Sequence, residues 1–227
     1  MAEIRHRESG AHAVTVASQV RVEADLDEPL SRWLWLVKWL LLIPHWIVLT
    51  VLWLCYPVVG LFAFFAILVT GRYPRPLFGF TTGLLRWSWR VHFYGYAALG
   101  TDRYPPFTLA DVPEYPARLE IGYPERLSRG LVLVKWWLLV LPHLIVVALF
   151  VGGGGSLVQA SAGWNGGLIG ILMLVAAIVL LFTGTYPRSV FDFALGMDRW
   201  ALRVAAYVCL LTDEYPPFRL DQGGREP

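Results

Sequence analysis

Apolar and polar positions along this chain follow three successive patterns, and the series occurs twice. From His12 to Leu26 the even positions Val14, Val16, Val20, Val22, Ala24 and Leu26 are apolar, while Arg21, Glu23 and Asp25 take odd ones. That alternation predicts a half-buried strand. Asp27-Glu28-Pro29 breaks it, and an apolar stretch then runs from Trp33 to Thr70 with no Asp, Glu, Lys or Arg between Lys38 and Arg72. Its 38 residues would extend about 57 Å as one helix, roughly twice a bilayer's hydrocarbon core. The expectation is therefore a hairpin of two short spans over residues 31–70, turning near Cys55-Tyr56-Pro57, or a re-entrant hairpin that dips into one leaflet.

A third stretch, Phe78–Leu99, has helical period. Steps of 100° place Gly79, Thr82, Gly83, Arg86 and Arg90 on one stripe among Phe, Leu and Trp. It predicts an amphipathic helix over 78–99, in the interface with its arginines towards lipid phosphates, the alternative being a span with them facing inward. Thr101-Asp102-Arg103-Tyr104-Pro105-Pro106-Phe107 closes the unit, since its prolines cannot continue a helix, and a short strand is expected to leave it at Phe107-Thr108-Leu109.

The series then repeats. Arg118-Leu119-Glu120-Ile121 matches Arg21-Val22-Glu23-Ala24 at an offset of 97, which continues to Ser128-Arg129. Residues 128–151 and 167–183 form the second hairpin, separated by a flexible Gly152–Gly155 linker. Asp192, Gly196, Arg199 and Arg203 stripe a second amphipathic helix over 190–211, and Thr212-Asp213-Glu214-Tyr215-Pro216-Pro217-Phe218 closes the unit before a strand at Phe218-Arg219-Leu220. The chain divides into a disordered tail (1–17), repeat 1 (18–113), repeat 2 (114–221) and a second tail (222–227). The fold class is a mainly α integral membrane protein of two tandem repeats, with a small cytoplasmic sheet between them. If the strands meet antiparallel on a pseudo-twofold axis, Arg21 faces Glu120 and Glu23 faces Arg118 as a clasp.

Composition agrees with a membrane setting: 56% of the 227 residues are hydrophobic and 11 are Trp, with mean hydropathy +0.53. A formal net charge of +2 gives no reason to expect a nucleic-acid partner. The cations instead flank the apolar runs, which by the positive-inside rule puts the hairpin bases and both termini in the cytoplasm and the protein in the inner membrane as a multi-pass chain. Met1–Glu8 is of mixed charge and does not read as a cleavable signal. Cys55 and Cys209 have no metal or redox spacing and read as packing residues.

The candidate chemistry is sparse. Lys38 and Lys135 are ammonium groups inside apolar runs, expected to snorkel to anionic headgroups, or else to face inward and pair with Asp192 or Asp198 or line a transport path. His45 and His143 follow Pro44 and Pro142, seven and eight residues beyond those lysines. Each proline frees a backbone carbonyl that an imidazole or water would satisfy, the alternative being a proton relay. Arg72, Arg75, Arg86, Arg90, Arg188, Arg199 and Arg203 are candidate contacts for lipid headgroups. Trp33, Trp35, Trp39, Trp46 and Trp53 suit interfacial anchoring and packing, or a lipid- or quinone-facing surface. No nucleophile has a base and orienting acid at recognisable spacing, so no catalytic residue, cofactor or metal is expected.

The Lys-Trp-Leu…Pro-His runs, the Tyr-Pro-Arg junctions at Tyr73 and Tyr186 and the Thr-Asp-x-Tyr-Pro-Pro-Phe closures resemble bacterial membrane proteins of the domain-of-unknown-function 4389 family, in two copies from Val20 to Leu220. That resemblance implies the membrane setting and carries no activity or site residue with it. The functional expectation is a non-enzymatic scaffold or accessory subunit that contacts anionic lipid and a membrane-protein partner or a second copy of itself. The alternative is a small transporter, channel or lipid-handling protein with its path at the repeat interface. A water-filled cavity lined by Lys38, His45, Lys135 and His143 would favour that alternative.

Overall fold

A computed structural model describes residues 19–151 and 167–221; both expected tails, the start of the alternating segment and the Gly152–Gly155 linker lie outside the described residues. Strand β1 (Val20–Ala24) pairs antiparallel with β2 (Ala117–Ile121), with Arg21 opposite Glu120, Val22 opposite Leu119 and Glu23 opposite Arg118. Val20, Val22, Leu119 and Ile121 turn into the core, as period-two alternation requires. Ion pairs also run along the strands, Arg21 to Glu23 at 3.3 Å and Arg118 to Glu120 at 2.9 Å. No strand forms at 107–109 or 218–220; those residues are irregular, and carbonyls there accept from arginine side chains.

The hairpin expected over 31–70 is absent. After a 3₁₀ turn at Leu34–Leu36, α1 runs unbroken from Lys38 to Thr70 with Pro44 and Pro57 inside it. A lone proline kinks a helix rather than ending it, and no cluster of loop-forming residues accompanies Pro57. Lys38, Leu42, His45, Leu49, Ala63 and Ile67 are buried, with Leu52, Tyr56 and Gly60 partly covered between them. One stripe thus contacts the protein along the whole helix, while the remaining perimeter exposes apolar side chains from Trp39 to Val69. The helix is long and apolar enough to cross a membrane. Gly71 ends it in the left-handed conformation (φ 70°), its N–H bonded to the Ile67 carbonyl.

Repeat 2 builds the same path from pieces: α3 (Arg129–Val134), a π turn (Lys135–Leu139), α4 (Leu141–Val151) and α5 (Gly167–Thr183). The π turn has a sequence cause. The offset between copies is 97 at Lys38/Lys135 and 98 at His45/His143, so one extra residue falls between them, and a π turn absorbs a single insertion without rotating the helix beyond it. At Gly71/Gly184 the offset has grown to 113. Those fifteen further residues correspond to 152–166, so α4 and α5 together are the counterpart of α1.

Helices α2 (Arg75–Tyr94) and α6 (Arg188–Val208) begin just after the Tyr-Pro junctions, with Pro74 and Pro187 as N-caps. Neither lies free in an interface. More than half of each helix is buried; on the arginine stripes Arg90 and Arg203 are buried, and Arg86 and Arg199 half-buried. Arg86 Nε donates to the Leu119 carbonyl at 2.8 Å, and Arg199 Nε to the Val22 carbonyl at 3.3 Å. These two acceptors face each other at the centre of the sheet. The molecule is therefore layered: sheet, then α2 and α6, then α1, α4 and α5, with the pseudo-twofold axis through the Val22–Leu119 pair.

Candidate functional site

Both lysines of the apolar runs are engaged by the closing segment of their own repeat. Lys38, 2% exposed, donates to the Thr101 carbonyl (2.6 Å), pairs with Asp102 (3.1 Å) and lies over the Tyr94 ring. Lys135, fully buried, donates to the Thr212 carbonyl (2.9 Å), pairs with Asp213 (2.8 Å) and lies over Tyr207. The second oxygen of each aspartate accepts the backbone N–H of Ser31 or Ser128 at 2.5 Å. Burial of the ammonium is thus offset by a carboxylate, a carbonyl and a π face. The lysines thus face inward and are paired rather than snorkelling outward, and their partners are Asp102 and Asp213 in place of the expected Asp192 or Asp198. Thr-Asp stands in both closures, and that duplication was the available signal for the true partners.

The histidines have an equally matched environment. His45 Nδ1 accepts from Trp87 Nε1 at 3.0 Å, and its ring stacks on Phe107 at 3.8 Å. His143 Nδ1 accepts from Trp200 Nε1 at 3.1 Å and stacks on Phe218 at 4.4 Å. An indole N–H only donates, so each imidazole is neutral and carries its proton on Nε2. The proline-freed carbonyl is therefore not what the imidazole serves. The carbonyl that Pro44 frees is that of Leu40; the Tyr104 hydroxyl donates to the neighbouring Leu41 carbonyl (2.9 Å). Lys38 with His45, and Lys135 with His143, form two separate clusters that do not converge on a shared path.

Of the arginines expected at headgroups, Arg86, Arg90, Arg199 and Arg203 point inward. Arg90 donates to the carbonyls of Ala110 and Thr108, and Arg203 to those of Arg219 and Asp221. Each guanidinium holds the irregular segment against its helix, and Gly83 and Gly196 allow the approach: a Cβ on Gly83 would lie 2.7 Å from the Leu109 carbonyl oxygen, one on Gly196 2.9 Å from Leu220 Cβ. Arg72, Arg75 and Arg188 remain exposed; Arg75 lies over Tyr123, and Arg188 pairs with Glu28 at 3.1 Å.

A cavity does lie at the repeat interface, between the middle and outer layers, with a lining other than the one expected. A cavity of about 440 Å³ is lined by Leu42, Trp46 and Trp53 of α1, by facing residues of α2 and α6, and by Val151, Ile169 and Gly170. Lys38, His45, Lys135 and His143 do not line it. Asp198 does, and burial pushes its carboxyl well above the usual carboxylate range. Among the described residues no group of three or more His, Cys, Asp or Glu side chains is placed to hold a metal ion.

Compared with known proteins, the chain matches the family model described as Domain of unknown function (DUF4389) over residues 32–108 and 163–219. No curated protein and no solved structure matches it.

Proposed function

Because this chain belongs to the DUF4389 family, with the match falling in both repeats, we propose its role from its surfaces: a non-enzymatic membrane scaffold that engages anionic lipid and a protein partner. The observation that carries this reading is the asymmetry of α1, which contacts the protein along one stripe and exposes apolar side chains everywhere else. Water would oppose such exposure at about 25 cal/mol per Å², and hydrocarbon would not.

The two ends of α1 suggest how it sits. Lys38 is tied to Thr101 and Asp102, and the Gly71 carbonyl accepts from Leu127 N just past β2 (2.8 Å). Both ends are thus pinned to the layer that holds the sheet. This favours a continuous helix lying in one leaflet in place of the expected hairpin: the outer helical layer sinks into the bilayer from one side, with sheet and closures in the cytoplasm. Exposed Arg72, Arg75 and Arg188 then meet headgroups where the apolar helices end. Lys38, Lys135, Arg90 and Arg203, the charges a transport path would use, are committed to partners within the chain, which favours the scaffold over the transporter.

Single cysteines at Thr108, Glu125 and Val58 in a Cys55→Ala, Cys209→Ala background test the placement with a membrane-impermeant maleimide. Positions 108 and 125 should label only from the cytoplasmic face and position 58 from neither. Labelling of position 58 from the outer face would replace this reading with a crossing α1.

A further inference from the structure

On the cavity at the pseudo-twofold axis the two repeats differ in chemistry at several matching positions. At the offset of 113 that relates α2 to α6, Asp198 corresponds to Leu85, Trp89 to Leu202, Ser88 to Ala201 and His92 to Ala205, and all eight line the cavity. The fold therefore accepts an apolar residue at each of these places, and packing alone does not call for the polar one.

Two of the polar groups are unsatisfied. Asp198 is 7% exposed and Trp89 2%; neither Asp198 Oδ2 nor Trp89 Nε1 has a hydrogen-bond partner among the described residues. A buried acceptor and a buried donor left open on one cavity are costly to the folded chain. Nearby candidates are engaged elsewhere: the Tyr186 hydroxyl donates to the Ala98 carbonyl (2.7 Å), and Ser88 Oγ accepts from Trp53 Nε1 (3.1 Å). The remaining lining is apolar and aromatic, and 440 Å³ is the size of an ordinary small-molecule site. A groove of about 390 Å³ shares Trp46, Trp53, Ser88 and His92 with the cavity and continues along α1 past Leu49, Thr50 and Leu54. The open acceptor thus sits at the head of an apolar trough.

We infer that this cavity binds a single-chain lipophilic amine, its ammonium held by Asp198 Oδ2 and the tryptophan faces, its chain lying in the groove along α1. A lone carboxyl buried there keeps its proton; an ammonium beside it stabilises the carboxylate, so that binding releases the proton to solvent, and indole faces attract the same cation. An oxygen next to the amine would accept from Trp89 Nε1 and complete the second open group. The selection is by head charge and chain together: a neutral alcohol of equal length fills the groove and offers Asp198 a hydrogen bond but no charge.

The test is equilibrium binding to the full chain in lipid nanodiscs, with dodecylamine and dodecanol as probes. Dodecylamine should bind saturably at one site per chain and at least tenfold more tightly than dodecanol. Asp198→Asn should remove that preference and leave dodecanol binding unchanged. Ala201→Phe, which keeps Asp198 and fills the cavity, should abolish both. Equal affinity for the two probes, or an amine preference that survives either variant in folded protein, overturns the inference. If Asp198→Asn does not fold, the Ala201→Phe result decides alone.

Discussion

Lys38 shows what a buried charge costs and what it is worth. Its ammonium is 2% exposed and has Asp102 and the Thr101 carbonyl as partners, so removing one member strands the other. Asp102→Ala should destabilise the protein by about 3–5 kcal/mol, as should Lys38→Met. The double variant should cost clearly less than the two singles together, because no lone charge remains. Thermal unfolding in detergent measures all three; additive losses would show that Lys38 and Asp102 act independently. The cysteines make a second contrast. Cys55 is exposed on α1, whereas burial of Cys209 pushes its thiol up to about 11. In detergent at neutral pH, maleimide should modify Cys55 and spare Cys209 until the protein is unfolded. The sequence displayed the two lysines plainly, because charges in apolar runs stand out. It hid their partners, which lie more than sixty residues away and are brought close only by tertiary packing.

At the scale of elements, the glycines of the third helices separate packing from propensity. Gly83 and Gly196 lie under the closing segments, where a Cβ would meet backbone or Cβ atoms within 3 Å; Gly79, one turn away on the same stripe, has open space. Gly83→Ala should therefore destabilise by about 1–3 kcal/mol. Gly79→Ala should be neutral or gain up to about 1 kcal/mol from helix propensity. The small-residue stripe was legible in the sequence, and only its direction was misjudged: it meets the chain's own closure, and the arginines beside it bind carbonyls rather than phosphates. The sheet was readable in more detail, since alternation and a constant offset define its register without any tertiary information. Its charges are partly exposed, so Arg21→Glu should cost less than about 1 kcal/mol, and Arg21→Glu with Glu120→Arg should restore the loss. Failure of the pair to recover, in the same melting assay, would remove the cross-strand interaction from the account. For α1 the limit was of another kind. Length against bilayer thickness implied a turn, but no local residue enforces one, and a proline inside an apolar run leaves the helix intact.

For the whole molecule, duplication is the organising fact, and the departures from it carry the information. One inserted residue becomes a π turn that keeps Lys135 and His143 in the settings of Lys38 and His45. Fifteen more separate α4 from α5 where α1 is continuous. A handful of unmatched side chains gives the axial cavity different polar groups on its two sides, Asp198 from α6 and Ser88, Trp89 and His92 from α2. Such departures are visible in the sequence as changes of offset, but their placement on a common axis requires the packed structure. Lipid contact belongs to this scale too, because the exposed cations act together. Arg72, Arg75 and Arg188 lie outside the packed layers, so replacing all three with Glu should leave the fold intact while weakening attraction to anionic lipid by about 1 kcal/mol for each position. The measurement is the phosphatidylglycerol retained per chain after purification in a mild detergent, compared with phosphatidylethanolamine in the same sample. A selective fall in phosphatidylglycerol supports headgroup recognition at the ends of the apolar helices. Retention unchanged in a folded triple variant would mean that these arginines do not hold lipid, and would shift the weight of the scaffold reading to a protein partner on the same face.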